Sequence, residues 1–117
     1  MQGLKRRFPR YILDKPVTAY RMYEEMNVGI RGRWKTFGEG GLGAQMSEQL
    51  RSGEVIKFEL SPSLTVYAAV RYCQSFNHGF EFVLLKDRQK AEIMRMCREL
   101  GGKSVTSPTD SQRRLRH

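Results

Sequence analysis

The sequence predicts a mainly β fold: a six-stranded antiparallel β-barrel followed by a C-terminal α-helix. Three observations carry that expectation. Six short runs alternate between apolar and polar residues with a period of two. Tight turns separate them, which favours an antiparallel barrel or sandwich. After residue 87 the apolar spacing changes to that of a helix. A chain of 117 residues has room for one domain with one modest core.

The first strand is expected from Pro16, with Val17, Ala19 and Arg21 on one face and Thr18, Tyr20 and Met22 on the other. "EEMNVG" (24–29) reads as a hairpin connection in which Asn27 and Gly29 can take a positive φ. "IRGRWKTF" (30–37) sets Ile30, Gly32, Trp34 and Thr36 against Arg31, Arg33, Lys35 and Phe37. "GEGG" (38–41) interrupts the alternation, and "LGAQM" (42–46) resumes it as a short strand. Residues 47–54 form a turn region, with Leu50 anchored in the core.

"VIKFEL" (55–60) directs Ile56, Phe58 and Leu60 inward, and "SPS" (61–63) turns the chain. The long strand 64–74 carries Val66, Ala68, Val70 and Tyr72 on one side. "SFNHG" (75–79) is a turn leading into "FEFVLL" (80–85), where Phe80, Phe82 and Leu84 alternate with Glu81 and Val83. Asp87 is the expected helix N-cap. The stripe of Ile93, Cys97 and Leu100, with Met94 beside it, faces the core over residues 88–100, and Gly101-Gly102 ends the helix. Residues 103–117 hold too few apolar groups to fold and read as a disordered basic tail.

The net charge of +9 invites a nucleic-acid partner, but its distribution argues against one. Lys5, Arg6, Arg7 and Arg10 give residues 1–10 a charge of +4. Lys103, Arg113, Arg114 and Arg116 against Asp110 give residues 103–117 a charge of +3. The body between them, residues 11–102, has 13 basic and 11 acidic residues. The excess therefore lies in two arms flanking a nearly balanced domain.

Cys73 and Cys97 stand 24 residues apart, and with two histidines they cannot assemble four metal ligands by spacing. They are expected to be reduced, buried thiols. No apolar run approaches the roughly 20 residues that span a bilayer, and no signal-peptide stretch opens the chain. A soluble, cytoplasmic protein is expected. No nucleophile–base pair is visible in the sequence, so no enzymatic activity is expected. His78 reads as a turn residue, and Trp34 and Tyr72 as core or rim aromatics. Arg31, Arg33 and Lys35 read as a solvated strand face that enriches the positive potential near the glycine turn.

Two stretches depart from ordinary β-protein. "RRFPR" (6–10) spaces Arg6 and Arg10 as R-x-x-x-R with Arg7 between them. Pro9 pushes Phe8 toward an extended conformation, and guanidinium forks pair with phosphate oxygens or with the O6/N7 edge of guanine. "TFGEGGLGA" (36–44) is a glycine-rich turn whose backbone N–H groups can converge on an anion and whose bare surface admits a planar ring. Each stretch alone is also what a solvated arginine run or a tight β-turn looks like.

In this order and on this strand pattern, the two stretches resemble the PilZ domain family of bacterial cyclic di-GMP receptors. The family pattern is R-x-x-x-R before the first strand, then [D/N]-x-S-x-x-G at the turn between the second and third strands. L-x-x-G-x-x-V, a long A-x-V-R-aromatic strand, a G-x-x-F strand and a helix follow. This chain shows Arg6-x-x-x-Arg10, "LRSGEV" (50–55), "AAVRY" (68–72), "GFEF" (79–82) and the helix. The resemblance covers residues 5 to about 100 and implies a split-barrel fold.

The resemblance also implies a dinucleotide site made of Arg6, Arg7, Arg10, Thr36, Gly38, Gly40 and Gly41. Thr36 stands where the family has Asp or Asn, and Gly38 where it has Ser. In the family the acid or amide binds the guanine edge and the serine supports the phosphates. Losing a charge-assisted hydrogen bond costs about 1.5–3 kcal/mol and a neutral one about 0.5–1.5 kcal/mol. Affinity would then fall by roughly 30-fold to 1,000-fold relative to a full-motif member.

The resemblance thus implies a single-domain cyclic di-GMP receptor and adaptor with no cofactor. It would act as a monomer or a ligand-linked dimer and signal to an effector protein in motility, surface attachment and biofilm formation, or polysaccharide secretion. A second reading is a PilZ-fold interaction protein that has lost its ligand, for instance in pilus assembly. A small-barrel nucleic-acid binder driven by the two arms ranks last.

Overall fold

The computed structural model describes residues 9–22 and 28–103, apart from the side chain of Lys103. Strands β1 (Arg10–Arg21), β2 (Ile30–Gly38), β3 (Gly41–Met46), β4 (Val55–Ser61), β5 (Leu64–Gln74) and β6 (Asn77–Val83) precede helix α1 (Asp87–Lys103). All strand pairings are antiparallel. The order β1-β2-β3-β6-β5-β4 closes on itself through β1 and β4, so the expected six-stranded barrel with one helix is the observed fold.

Inward-facing residues fill the barrel as the period-two pattern requires. Val17, Ala19, Ile56, Phe58, Val66, Ala68, Val70 and Phe80 are each no more than 6% exposed. Aromatic rings interlock edge to face, with centroids 5.0 Å apart for Trp34–Phe37 and 4.7 Å apart for Phe58–Phe80. From α1, Ile93 and Cys97 are buried against this core and Leu100 packs partly against it. Met94 is 43% exposed, and Met96 takes the flanking place expected of it.

Several boundaries differ from the sequence expectation, each for a local reason. β1 begins at Arg10 rather than Pro16, because Arg10, Tyr11 and Ile12 pair with Gly38, Phe37 and Thr36 before an irregularity between Ile12 and Lys15. A polar break at Asp14-Lys15 hides that extension from a test for alternation. A register shift between Trp34 and Thr36 turns Phe37 into the core, fully buried, and leaves Thr36 half-buried. A second shift, between Val70 and Tyr72, moves Tyr72 out of the inward row to 55% exposure.

β6 starts at Asn77, so the turn shrinks to Ser75-Phe76 and His78 becomes a buried strand residue. Leu84 is 75% exposed with a φ of 59°, which ends β6 before residue 85. Gly29 does not take the positive φ expected of it, Asn27 lies outside the described residues, and α1 continues through Gly101-Gly102. Cys97 is buried as expected, whereas Cys73 is only half-buried.

Candidate functional site

Arg10, the last residue of the arginine stretch, meets the glycine-rich stretch on the outer surface of β1 and β2. Arg10 is the register partner of Gly38, and Ile12 of Thr36, so all four residues share one face. The Arg10 Nη1–H donates to Thr36 Oγ1 at 3.2 Å across 26 residues of sequence. Arg10 is therefore a half-buried strand residue rather than part of a free arm, because its backbone continues the β1–β2 ladder. Arg6 and Arg7 lie outside the described residues.

Trp34 sets the position of Thr36. Its indole is 2% exposed, and its Nε1–H needs an acceptor once buried. That acceptor is the Thr36 carbonyl, 3.1 Å away, at the register shift that turns Thr36 outward. Trp34 thus joins the core, as one of its expected places, and also fixes the residue at the centre of the site.

Gly38 and Gly41 are small because backbone lies where a side chain would go. A Cβ on Gly38 would stand 2.7 Å from the Pro9 carbonyl oxygen and 3.0 Å from Arg10 Cδ. A Cβ on Gly41 would stand 2.0 Å from the Phe80 carbonyl oxygen. Neither residue takes a positive φ, so this turn uses glycine for close approach and not for left-handed backbone. Gly40 contributes its carbonyl, which accepts the Phe82 N–H at 3.0 Å.

From Thr36 the outer surface continues across β3 and β6 without a side chain. Thr36 is the register partner of Gly43, and Gly43 of Gly79. A Cβ on Gly43 would meet Thr36 Oγ1 at 2.6 Å, and one on Gly79 would meet the Tyr72 ring at 2.2 Å. The Tyr72 ring therefore lies over Gly79 while remaining 55% exposed. The result is a flat shelf with a guanidinium and a hydroxyl at one side and an aromatic ring at the other. Sequence reasoning placed Tyr72 in the inward row; the signal it lacked was the bulge after Val70.

The acids on the strands of the shelf are engaged by cations. Glu81, the register partner of Gly41, is held by Arg71 Nε at 3.2 Å. Asp14, between the shelf and the rest of β1, is engaged by Arg33 at 2.9 Å and Lys35 at 3.4 Å. The Arg33 hydrogen bond, with its charge and that of Lys35, holds the Asp14 carboxyl below the usual carboxylate range. Two of the three cations expected to enrich the glycine turn are thus tied to one acid. Among the described residues, no group of three or more His, Cys, Asp or Glu side chains could hold a metal ion. No described helix is long and apolar enough to cross a membrane.

The family model described as the PilZ domain matches residues 4–99. Among solved structures, the PilZ domain of CeSA from a cellulose-synthesizing bacterium superposes with a TM-score of 0.63 at 14% identity, covering 80% of this chain and 96% of that one. The PilZ domain of Escherichia coli YcgR with c-di-GMP gives 0.63 at 15% identity, covering 85% and 93%. A longer YcgR chain in complex with c-di-GMP gives 0.66 at 18% identity, with this chain covered over 85% and that one over 47%. No curated protein matches the chain in sequence.

Proposed function

The chain belongs to the PilZ domain family, and from that premise we propose that it is a non-catalytic, cytoplasmic receptor for cyclic di-GMP. The observation that carries this reading is the contact between Arg10 and Thr36, which joins the last residue of the R-x-x-x-R stretch to the strand leading into the glycine turn. In this reading Arg10, with Arg6 and Arg7 from the preceding segment, pairs with phosphate oxygens and a guanine edge. Thr36 supplies one neutral hydrogen bond where other members have an acid or amide. The glycine shelf from Gly38 and Gly41 to Gly79 lets a purine ring lie flat, with Tyr72 at its far side. Ligand binding changes the surface offered to an effector protein, making the chain an adaptor.

A second reading is favoured by one observation. The Pro9 carbonyl already fills the space over Gly38 where a serine side chain would go. A chain that closed this position for good would work through protein contacts alone.

Calorimetric titration with cyclic di-GMP separates the two. The receptor reading expects binding that Arg10→Ala and Arg6→Ala each weaken by about tenfold or more, the worth of a charge-assisted hydrogen bond. No heat at high-micromolar ligand, or heat indifferent to both substitutions, would overturn it.

A further inference from the structure

A groove of about 750 Å3 opens on β1, β2 and β3, toward the Arg21 and Ile30 ends of the first two strands. The dinucleotide reading makes no use of it. Pro16 and Phe76 supply its exposed apolar wall over the buried Val17 and Met46, with Arg31 and Arg33 also on the wall and no carboxylate among the lining residues.

The groove is built from restrained parts. A Cβ on Gly32 would stand 2.5 Å from Met46 Sδ, so this glycine lets the methionine fold across the strand. Phe76 is 43% exposed, yet its carbonyl accepts both the Met46 N–H and the His78 Nδ1–H at 2.9 Å. His78 is 1% exposed, so the turn carrying Phe76 is pinned to the core. Arg33 is oriented by Asp14, through its Nε–H to Oδ1 at 2.9 Å and its Nη2–H to the carbonyl at 3.2 Å. An exposed aromatic side chain carried on a fixed backbone costs no backbone ordering when a partner covers it, which suits an interface anchor.

We propose that this groove docks a short segment of a partner protein in which an apolar side chain is flanked by carboxylates. Apolar walls favour a buried anchor, and a lining that holds two guanidinium groups and no carboxylate favours acids beside it, Arg31 above all because Arg33 already holds Asp14. β2 carries both sites, with Arg33 three residues, or about 10 Å, from Thr36. The proposal rests on the adaptor half of the functional reading and not on its ligand half.

The test selects a random dodecapeptide phage library on the full chain and measures fluorescein-labelled winners by anisotropy. Winners should carry Asp or Glu beside Leu, Ile, Met or Phe. Affinity should fall by about tenfold with Arg31→Glu and with Phe76→Ala, each with an unchanged thermal midpoint. Amide shifts on binding should cluster at residues 17–18, 31–33, 45–47 and 76. No enrichment, winners without carboxylates, or winners indifferent to both substitutions would overturn the proposal. So would a dimer in sedimentation that Phe76→Ala dissolves, since a second copy would then be the occupant. Peptide binding by a chain that gives no heat with cyclic di-GMP would count against the receptor reading alone.

Discussion

Arg10 reaches across from the first strand to donate a hydrogen bond to Thr36 in the second, 3.2 Å away. That contact joins the only cation of the R-x-x-x-R stretch within the described residues to the position where the family carries an acid or amide. Substitution at either residue changes the strength and the chemistry of the pair separately.

Thr36→Asp should raise affinity for cyclic di-GMP. A carboxylate at this place accepts charge-assisted hydrogen bonds that a hydroxyl accepts as neutral ones, worth about 1 to 1.5 kcal/mol more, or roughly tenfold. Calorimetry checks the gain, and Arg10→Ala in the same background should remove it.

Gly38→Ser should fail to restore the family motif. Its Cβ would stand 2.7 Å from the Pro9 carbonyl oxygen, which is backbone and cannot swing aside. Overpacking of this kind costs about 1–3 kcal/mol, read as a lowered thermal midpoint.

Those two substitutions also show how far the sequence was legible. The barrel, its strand count and the helix followed from period-two and helical spacing, because inward faces must be apolar. The meeting of Arg10 with Thr36 was foreshadowed by the family motifs but not by spacing. The strand containing Arg10 is masked by Asp14-Lys15, and no alternation test crosses an irregularity. The shelf beyond Thr36 was hidden for the same reason: the shifts after Trp34 and Val70 each invert which face a residue shows. His78 was misplaced in a turn because "NHG" has turn composition, while its role depends on Leu50, 28 residues away.

His78 should make stability depend on pH. Its Nε2 accepts the Leu50 N–H at 2.9 Å, so the ring proton sits on Nδ1 and is donated to the Phe76 carbonyl. Burial pushes its pKa below the ordinary 6.5. Unfolded chains therefore take up a proton as pH falls through 6.5, while the folded chain resists. Stability is full above that value and declines below it, by at most about 1.4 kcal/mol per pH unit. Thermal unfolding from pH 8 to pH 5 should show this slope, and His78→Gln should flatten it while lowering the midpoint at pH 7.5.

The two thiols should differ in reactivity. Burial, with the Glu39 charge adding to it, raises the Cys97 pKa to about 11, so thiolate is scarce at neutral pH. Cys73 is half-buried on β5 and reachable, with its Sγ–H donated to the Ser75 carbonyl at 3.2 Å. Iodoacetamide at pH 7.5 should alkylate Cys73 in the folded chain and reach Cys97 only on addition of denaturant.

The central claim is a place: a cyclic dinucleotide seated between the Arg10–Thr36 pair and the Tyr72 ring. Titrating the 15N-labelled chain with cyclic di-GMP and following its amide spectrum locates the ligand directly. The account predicts the largest shifts at Arg10, Thr36, Gly38, Gly43 and Gly79, with Tyr72 moving with them. Shifts confined to other faces of the barrel, or a spectrum unmoved at millimolar ligand, would contradict it.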